Sequence, residues 1–269
     1  MRKIKFDTCI VGTGKAGIDF SAKLAQKYDL PTESKSCQIG VRFESPQKYF
    51  QKLIDISYDF KLYQKPNDKV SLRSFCTNNN AAYVAVEETY GDISYNGHAK
   101  KGKEFENGMT NFGILMEIKG IENPFEWSRN VVKKAQTKNW ISKLDKKYKQ
   151  VGLYYSPNSK RTPSQTSEGN TVDAHQCLTN LDTFKESFGE YADYILTFIE
   201  QMNEVFQFGD DWGMYIPEVK YLSPEPLVNY NDLSLNDYPN VHFVGDALSA
   251  RGITVSGAHG IYVAESVLK

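Results

Sequence analysis

Apolar positions alternate from Phe6 and become continuous through Val11; beyond a glycine-rich break, Ile18, Ala22, Leu24 and Ala25 return at helical spacing. This pattern predicts a strand, a tight turn and a helix. Proline disfavours helical geometry in the residue before it, so the helix is expected to stop near Asp29-Leu30-Pro31, followed by a polar loop to Ser36. Residues 37–43 alternate as a strand, and Ser45-Pro46 begins a short helix through about Ile56. Residues 70–76 and 81–87 predict strands around an Asn-rich turn, Asn96-Gly97 a two-residue turn, and residues 112–118 a further strand. From 124 to 148 the pattern changes to a helix whose apolar face carries Phe125, Val131, Val132, Ala135, Trp140, Ile141 and Leu144 among lysines. An exposed loop or lid over 156–170 precedes a second helix at about 190–206 and a strand at 219–222. The last segments are an apolar strand at 241–244, a Gly245-Asp246 turn and a helix of small residues over 254–268.

A chain of 269 residues can bury the core of one large or two modest domains, and the pattern favours two. Its 32 basic and 33 acidic residues nearly cancel, so charge calls for neither nucleic acid nor an anionic membrane as partner. Cys9, Cys37, Cys76 and Cys177 are far apart, without the spacing of a disulfide framework or a zinc site, and no metal is expected. No signal-peptide-like or membrane-length apolar stretch is present, so a soluble cytoplasmic protein with a small-molecule substrate is the expectation.

The strongest chemical signal lies in residues 239–264. An apolar strand delivers a turn in which Gly245 permits close backbone approach and Asp246 offers a carboxylate to the hydroxyls of a ribityl chain. Gly252 then opens a helix at Ile253 and Thr254 whose free N–H groups and positive dipole end suit a pyrophosphate or a reduced flavin. Ser256, Gly257, Ala258, Gly260 and Ala264 are small enough for that helix to pack closely. The competing reading is an ordinary strand and helix in which Asp246 is only a cap.

With this motif the chain resembles the widespread FAD-dependent dehydrogenases whose FAD-binding fold is interrupted by a substrate domain. The resemblance extends through Cys37-Gln38-Ile39-Gly40-Val41-Arg42-Phe43-Glu44-Ser45-Pro46, Arg73-Ser74-Phe75-Cys76, Asn96-Gly97-His98, Thr110-Asn111-Phe112, Arg161-Thr162-Pro163 and Glu218-Val219-Lys220-Tyr221. It implies an α/β fold: a partial, Rossmann-like FAD-binding domain from residues 1–36 and 238–269, with a β-rich α+β substrate domain inserted over 37–237. It implies FAD as cofactor and oxidoreductase chemistry, with the flavin held by Gly245, Asp246, Gly252, Ile253 and Thr254.

Gly12, Gly14 and Gly17 satisfy GxGxxG between a predicted strand and helix, the context of an ADP-binding site. Such a unit continues to a strand ending in Asp or Glu about 20 residues on, yet Glu33 falls in a polar loop. The resemblance offers a second assignment, in which Gly14-Lys15-Ala16-Gly17 is the turn of a later strand and the first nucleotide-binding βαβ unit is lacking. A purely structural turn is the third. Gly12, Gly14, Lys15 and Gly17 therefore join the candidate cofactor residues, and a second chain or a homo-oligomer is expected to cover the incomplete sheet. A degenerate flavoprotein scaffold acting as a non-catalytic binding or assembly subunit is the alternative function. His98 is the candidate catalytic group, while His242 and His259 read as strand and helix residues. Cys76 is expected to be buried and structural.

Overall fold

The computed structural model describes residues 7–13, 18–34, 36–137, 150–164, 174–220, 224–250 and 252–268. It is a mixed α/β protein with several sheets and helices, and among the described residues no sheet closes into a barrel. The first half runs β1 (Cys9–Thr13), α1 (Ile18–Lys27), β2 (Thr32–Glu33), β3 (Cys37–Pro46), α2 (Gln51–Ile56), β4 (Tyr63–Gln64), β5 (Val70–Asn80), β6 (Ala82–Thr89), β7 (Asp92–Ala99) and β8 (Met109–Ile118). Next come α3 (Pro124–Thr137), β9 (Gln150–Tyr155), β10 (Ala174–Leu178), α4 (Leu181–Phe188), α5 (Ala192–Phe206) and β11 (Gly213–Lys220). The remainder is β12 (Glu225–Pro226), β13 (Val228–Asn229), β14 (Ser234–Leu235), β15 (Tyr238–Gly245) and α6 (Ile253–Val267). No helix among the described residues is long and apolar enough to cross a membrane.

Two compact units result, one from Met1–Lys35 with Leu222–Lys269 and one from Ser36–Tyr221. Residues 224–237, assigned above to the insert, are built onto the first unit because β12 pairs with β2 and β14 with β15. In that unit β1 and β15 are parallel, with Cys9 opposite Val241 and Thr13 opposite Gly245. Strand order β1-β15-β14-β13 leaves β1 at the edge. Val11, Leu235, Phe243, Val244 and Val263 form a small core on this sheet.

The second unit is a seven-stranded sheet in the order β10-β9-β11-β3-β8-β5-β4. One face carries the apolar members of each strand, among them Ile39, Val41 and Phe43 of β3 and Phe112, Ile114 and Met116 of β8. They pack with Val131 and Val132 of α3, Phe184 of α4 and Ile195 and Phe198 of α5, as amphipathic helices on a sheet should. The opposite face is partly covered by the β6–β7 hairpin. Residues 138–149 of the helix expected from 124 lie outside the described residues, as do 165–170 of the expected loop.

Three local expectations are corrected. Asn96-Gly97 is not a turn: both residues lie within β7, and the hairpin turns at Tyr90-Gly91, where φ is 57° and 77°. Two consecutive positive φ values match the right-handed twist of paired strands, a geometry that Tyr90 adopts as well as Gly91. The Asn-rich segment is likewise not a turn, because Asn78 and Asn79 continue β5 opposite Asn111 and Thr110 after a register shift. Cys76 sits at that irregularity with φ 51° and is exposed, since the left-handed residue rotates its side chain out of the sheet.

Candidate functional sites

On β3, Arg42 and Glu44 alternate with Val41 and Phe43, so one strand has an apolar face and an ionic face, and both are buried. Arg42 is completely buried and donates from Nε and Nη2 to Asn111 Oδ1 at 3.0 and 2.8 Å, from Nη2 to the Cys76 carbonyl at 2.6 Å, and from Nη1 to Glu218 Oε1 at 3.3 Å. Asn78 Nδ2 donates to the same Asn111 oxygen and to the Cys76 carbonyl, both at 3.1 Å, and Asn111 Nδ2 donates to the Tyr83 carbonyl at 3.1 Å. The guanidinium thus has acceptors on every side, which a buried charge requires.

One turn of the pleat away, Glu44 is also fully buried. It accepts from the Tyr215 hydroxyl at 3.2 Å, from Arg161 Nη2 at 3.4 Å and from the Ser164 backbone N–H. Arg161 continues the chain, donating from Nε to the Tyr154 hydroxyl at 3.1 Å and from Nη1 to Asp211 Oδ1 at 2.7 Å. Burial pushes the Glu44 carboxyl up to about 7 despite the opposing pull of Arg161 and the Tyr215 hydroxyl. Burial, with the Glu44 charge beside them, also raises the Tyr215 and Tyr154 hydroxyls.

Glycines make the room for this layer. A β-carbon at Gly97 would overlap the Arg42 guanidinium, one at Gly113 would meet Phe75 and Glu218, and those at Gly152 and Gly213 would strike the Tyr95 and Tyr154 hydroxyl ends. The patterns around Arg42, Cys76, Gly97, Asn111, Arg161 and Glu218, scattered over some two-thirds of the chain in sequence, therefore meet in one buried polar layer. No role was assigned to Arg42, Glu44, Tyr154, Asp211 or Tyr215 from sequence. The available signal was charge at alternate positions of strands whose other members are wholly apolar.

His98 lies in β7 opposite Tyr83, half-buried and adjacent to Gly97 rather than following a turn. His242 is buried and its Nδ1 is 2.9 Å from the Asp232 carbonyl, a structural strand contact. His259 is half-buried on α6. Among the described residues no group of three His, Cys, Asp or Glu is placed to hold a metal.

The second site lies in the other unit. Because β1 and β15 are parallel and in register, Gly12-Thr13 and Val244-Gly245 leave the sheet at the same rim. Gly245 has φ 68° and Gly252 φ 98°, values that exact a steric cost from any residue with a β-carbon. Between them the Asp246 carbonyl accepts from the Ser249 N–H at 3.1 Å, while the half-buried carboxylate has no partner among the described residues. Gly252 provides no side-chain cap for α6, and Ser256 Oγ turns instead to the Ala250 carbonyl at 2.6 Å. The N–H groups of Ile253 and Thr254 thus stand at an uncapped, exposed helix start, with Ile253 95% exposed. Gly12 is in β1, whereas Gly14, Lys15 and Gly17 lie outside the described residues. Comparison with protein families and with curated proteins finds no match for the chain.

Proposed function

We propose that the chain is an FAD-dependent oxidoreductase, or a subunit of one, in which a Rossmann-like unit holds the flavin at the Gly245-Asp246 turn. The observation that carries this reading is the Asp246 carboxylate, without a partner among the described residues, at the rim shared by two parallel strands and followed by the uncapped start of α6. Ligands of open α/β sheets sit outside the carboxyl ends of strands, and anions favour helix starts. The residues fit the group: Asp246 accepts hydroxyl protons of a ribityl chain, the two glycines admit backbone contact, and Ile253 and Thr254 offer N–H donors. Bound FAD would supply the redox chemistry; the chain's own residues bind and orient it.

Two features support a partner. Among the described residues β1 leaves one edge unpaired within its sheet, and α6 exposes Ile253, Val255, Ile261, Tyr262, Val267 and Leu268, with Val263 its buried residue. Parallel strands and helices apolar all round are normally covered, so a second chain or a second copy is the proposed cover. The alternative, a non-catalytic flavoprotein-fold subunit, is favoured by one observation: the polar layer beneath the hairpin is closed and internally paired. An absorption spectrum of the purified chain with and without added FAD separates the two. Flavin bands with a raised melting temperature support the flavin reading; a colourless protein with no shift at saturating FAD refutes it.

A further inference from the structure

The polar face of the seven-stranded sheet continues past the hairpin. Register places Glu218, Gly40, Leu115, Arg73 and Tyr63 in one row across five strands, and Lys220, Gln38, Glu117 and Ser71 in the next. Of these rows Gln38, Ser71, Arg73, Leu115 and Glu117 line a cavity of about 400 Å³, together with Tyr63, the segment from Lys65 to Lys69 and Lys119. The Lys119 N–H donates to the Lys69 carbonyl at 2.9 Å, which brings the two lysine-bearing segments together at the rim.

Charge is unbalanced here. Lys65 and Asp68 pair at 2.9 Å, and Glu117 accepts from the Ser36 hydroxyl at 2.7 Å. Arg73, Lys69 and Lys119 have no side-chain partner among the described residues. In the covered half of the same face Arg42 meets Glu218 and Arg161 meets Asp211. Three such cations around one cavity match a dianion better than a single negative charge, and a guanidinium presents the fork that binds two oxygens of one group. The Gln38 amide, the Ser71 hydroxyl and the Glu117 carboxylate supply donors and acceptors for hydroxyl groups beside that anion.

We propose that this cavity binds a phosphomonoester on a small hydroxylated carbon skeleton, with Arg73, Lys69 and Lys119 taking the phosphate and Gln38, Ser71 and Glu117 the hydroxyls. The site lies wholly within Ser36–Tyr221 and stands independently of the flavin reading. Its test is calorimetric titration of the full chain at low ionic strength with β-glycerophosphate, inorganic phosphate, glycerol and succinate. The expected result is saturable binding of β-glycerophosphate, weaker binding of inorganic phosphate and none of glycerol. Arg73→Gln and, separately, Lys119→Gln should each weaken β-glycerophosphate about tenfold without changing the circular dichroism spectrum, since both side chains are exposed. Absence of saturable binding, affinity unchanged from the parent in both variants, or succinate binding as tightly as β-glycerophosphate would each overturn the proposal.

Discussion

Arg42 and Glu44 are completely buried and reach acceptors or donors on β5, β8, β11 and the 156–164 loop, whereas the Asp246 carboxylate in the other unit meets no described side chain. The helices differ in the same sense. Helix α4 begins at Asn180, whose Oδ1 accepts the Thr183 N–H at 3.0 Å, while α6 begins at Gly252 without a cap and keeps much of its apolar surface exposed. Polar residues that satisfy one another build a fold; polar and apolar groups left open are where a ligand or partner adds energy. The difference fits a structural role for the buried layer of the second unit and, on the proposed reading, a binding role for the rim of the first.

The largest expected effect breaks that buried layer. Arg42→Ala removes the buried cation that Glu218, Asn111 and the Cys76 carbonyl share and should cost about 3–5 kcal/mol in urea unfolding. Asp246→Ala, removing a carboxylate without a partner among the described residues, should stay within about 0.5 kcal/mol of the parent. Similar losses in both variants would erase the contrast between the units.

The next effect is pH-dependent. The Glu44 carboxyl is raised from 4.5 to about 7 in the folded protein, so the folded state binds its proton more tightly than the unfolded state. Its stabilising contribution is fully present below about pH 4.5 and is lost as pH rises through about 7, a change on the order of 3 kcal/mol. Unfolding free energy followed across that window should decline in the parent and be nearly flat in Glu44→Gln. An equal slope in the variant would place the titration elsewhere. Smaller still, Asn180→Ala should cost about 1 kcal/mol through loss of the α4 cap, read from the shift in urea midpoint.

Much of the second unit is legible in its periodicity. The alternation at 37–43, the strand pattern at 70–76 and the apolar density at 112–118 find β3, β5 and β8, because a strand's buried residues are written close together in sequence. The Asn96-Gly97 dipeptide misleads for a physical reason: its glycine is needed for space against Arg42 from another strand, which no local rule records. The true turn at Tyr90-Gly91 lacks the usual asparagine or aspartate at its first position. Residues 224–237 are similarly opaque, since two-residue strands such as β13 and β14 carry no period and gain their place only by pairing. The buried layer is the least legible part. Arg42, Asn111, Arg161 and Glu218 become neighbours through register across β3, β8 and β11 and through a loop docking on that sheet, while sequence shows each as one polar residue in its own segment. The adjacency of β1 and β15, by contrast, follows from the motif at each end and is seen in their parallel pairing.

The most direct test of the binding assignment is fluorescence titration of FAD into the parent chain, Asp246→Ala and Arg161→Gln under identical conditions. The account predicts saturable binding by the parent, a loss of about 1.5–3 kcal/mol in Asp246→Ala with unchanged secondary structure, and near-parent affinity in Arg161→Gln. FAD affinity equal in the parent and Asp246→Ala would contradict it and return Asp246 to the role of a turn residue.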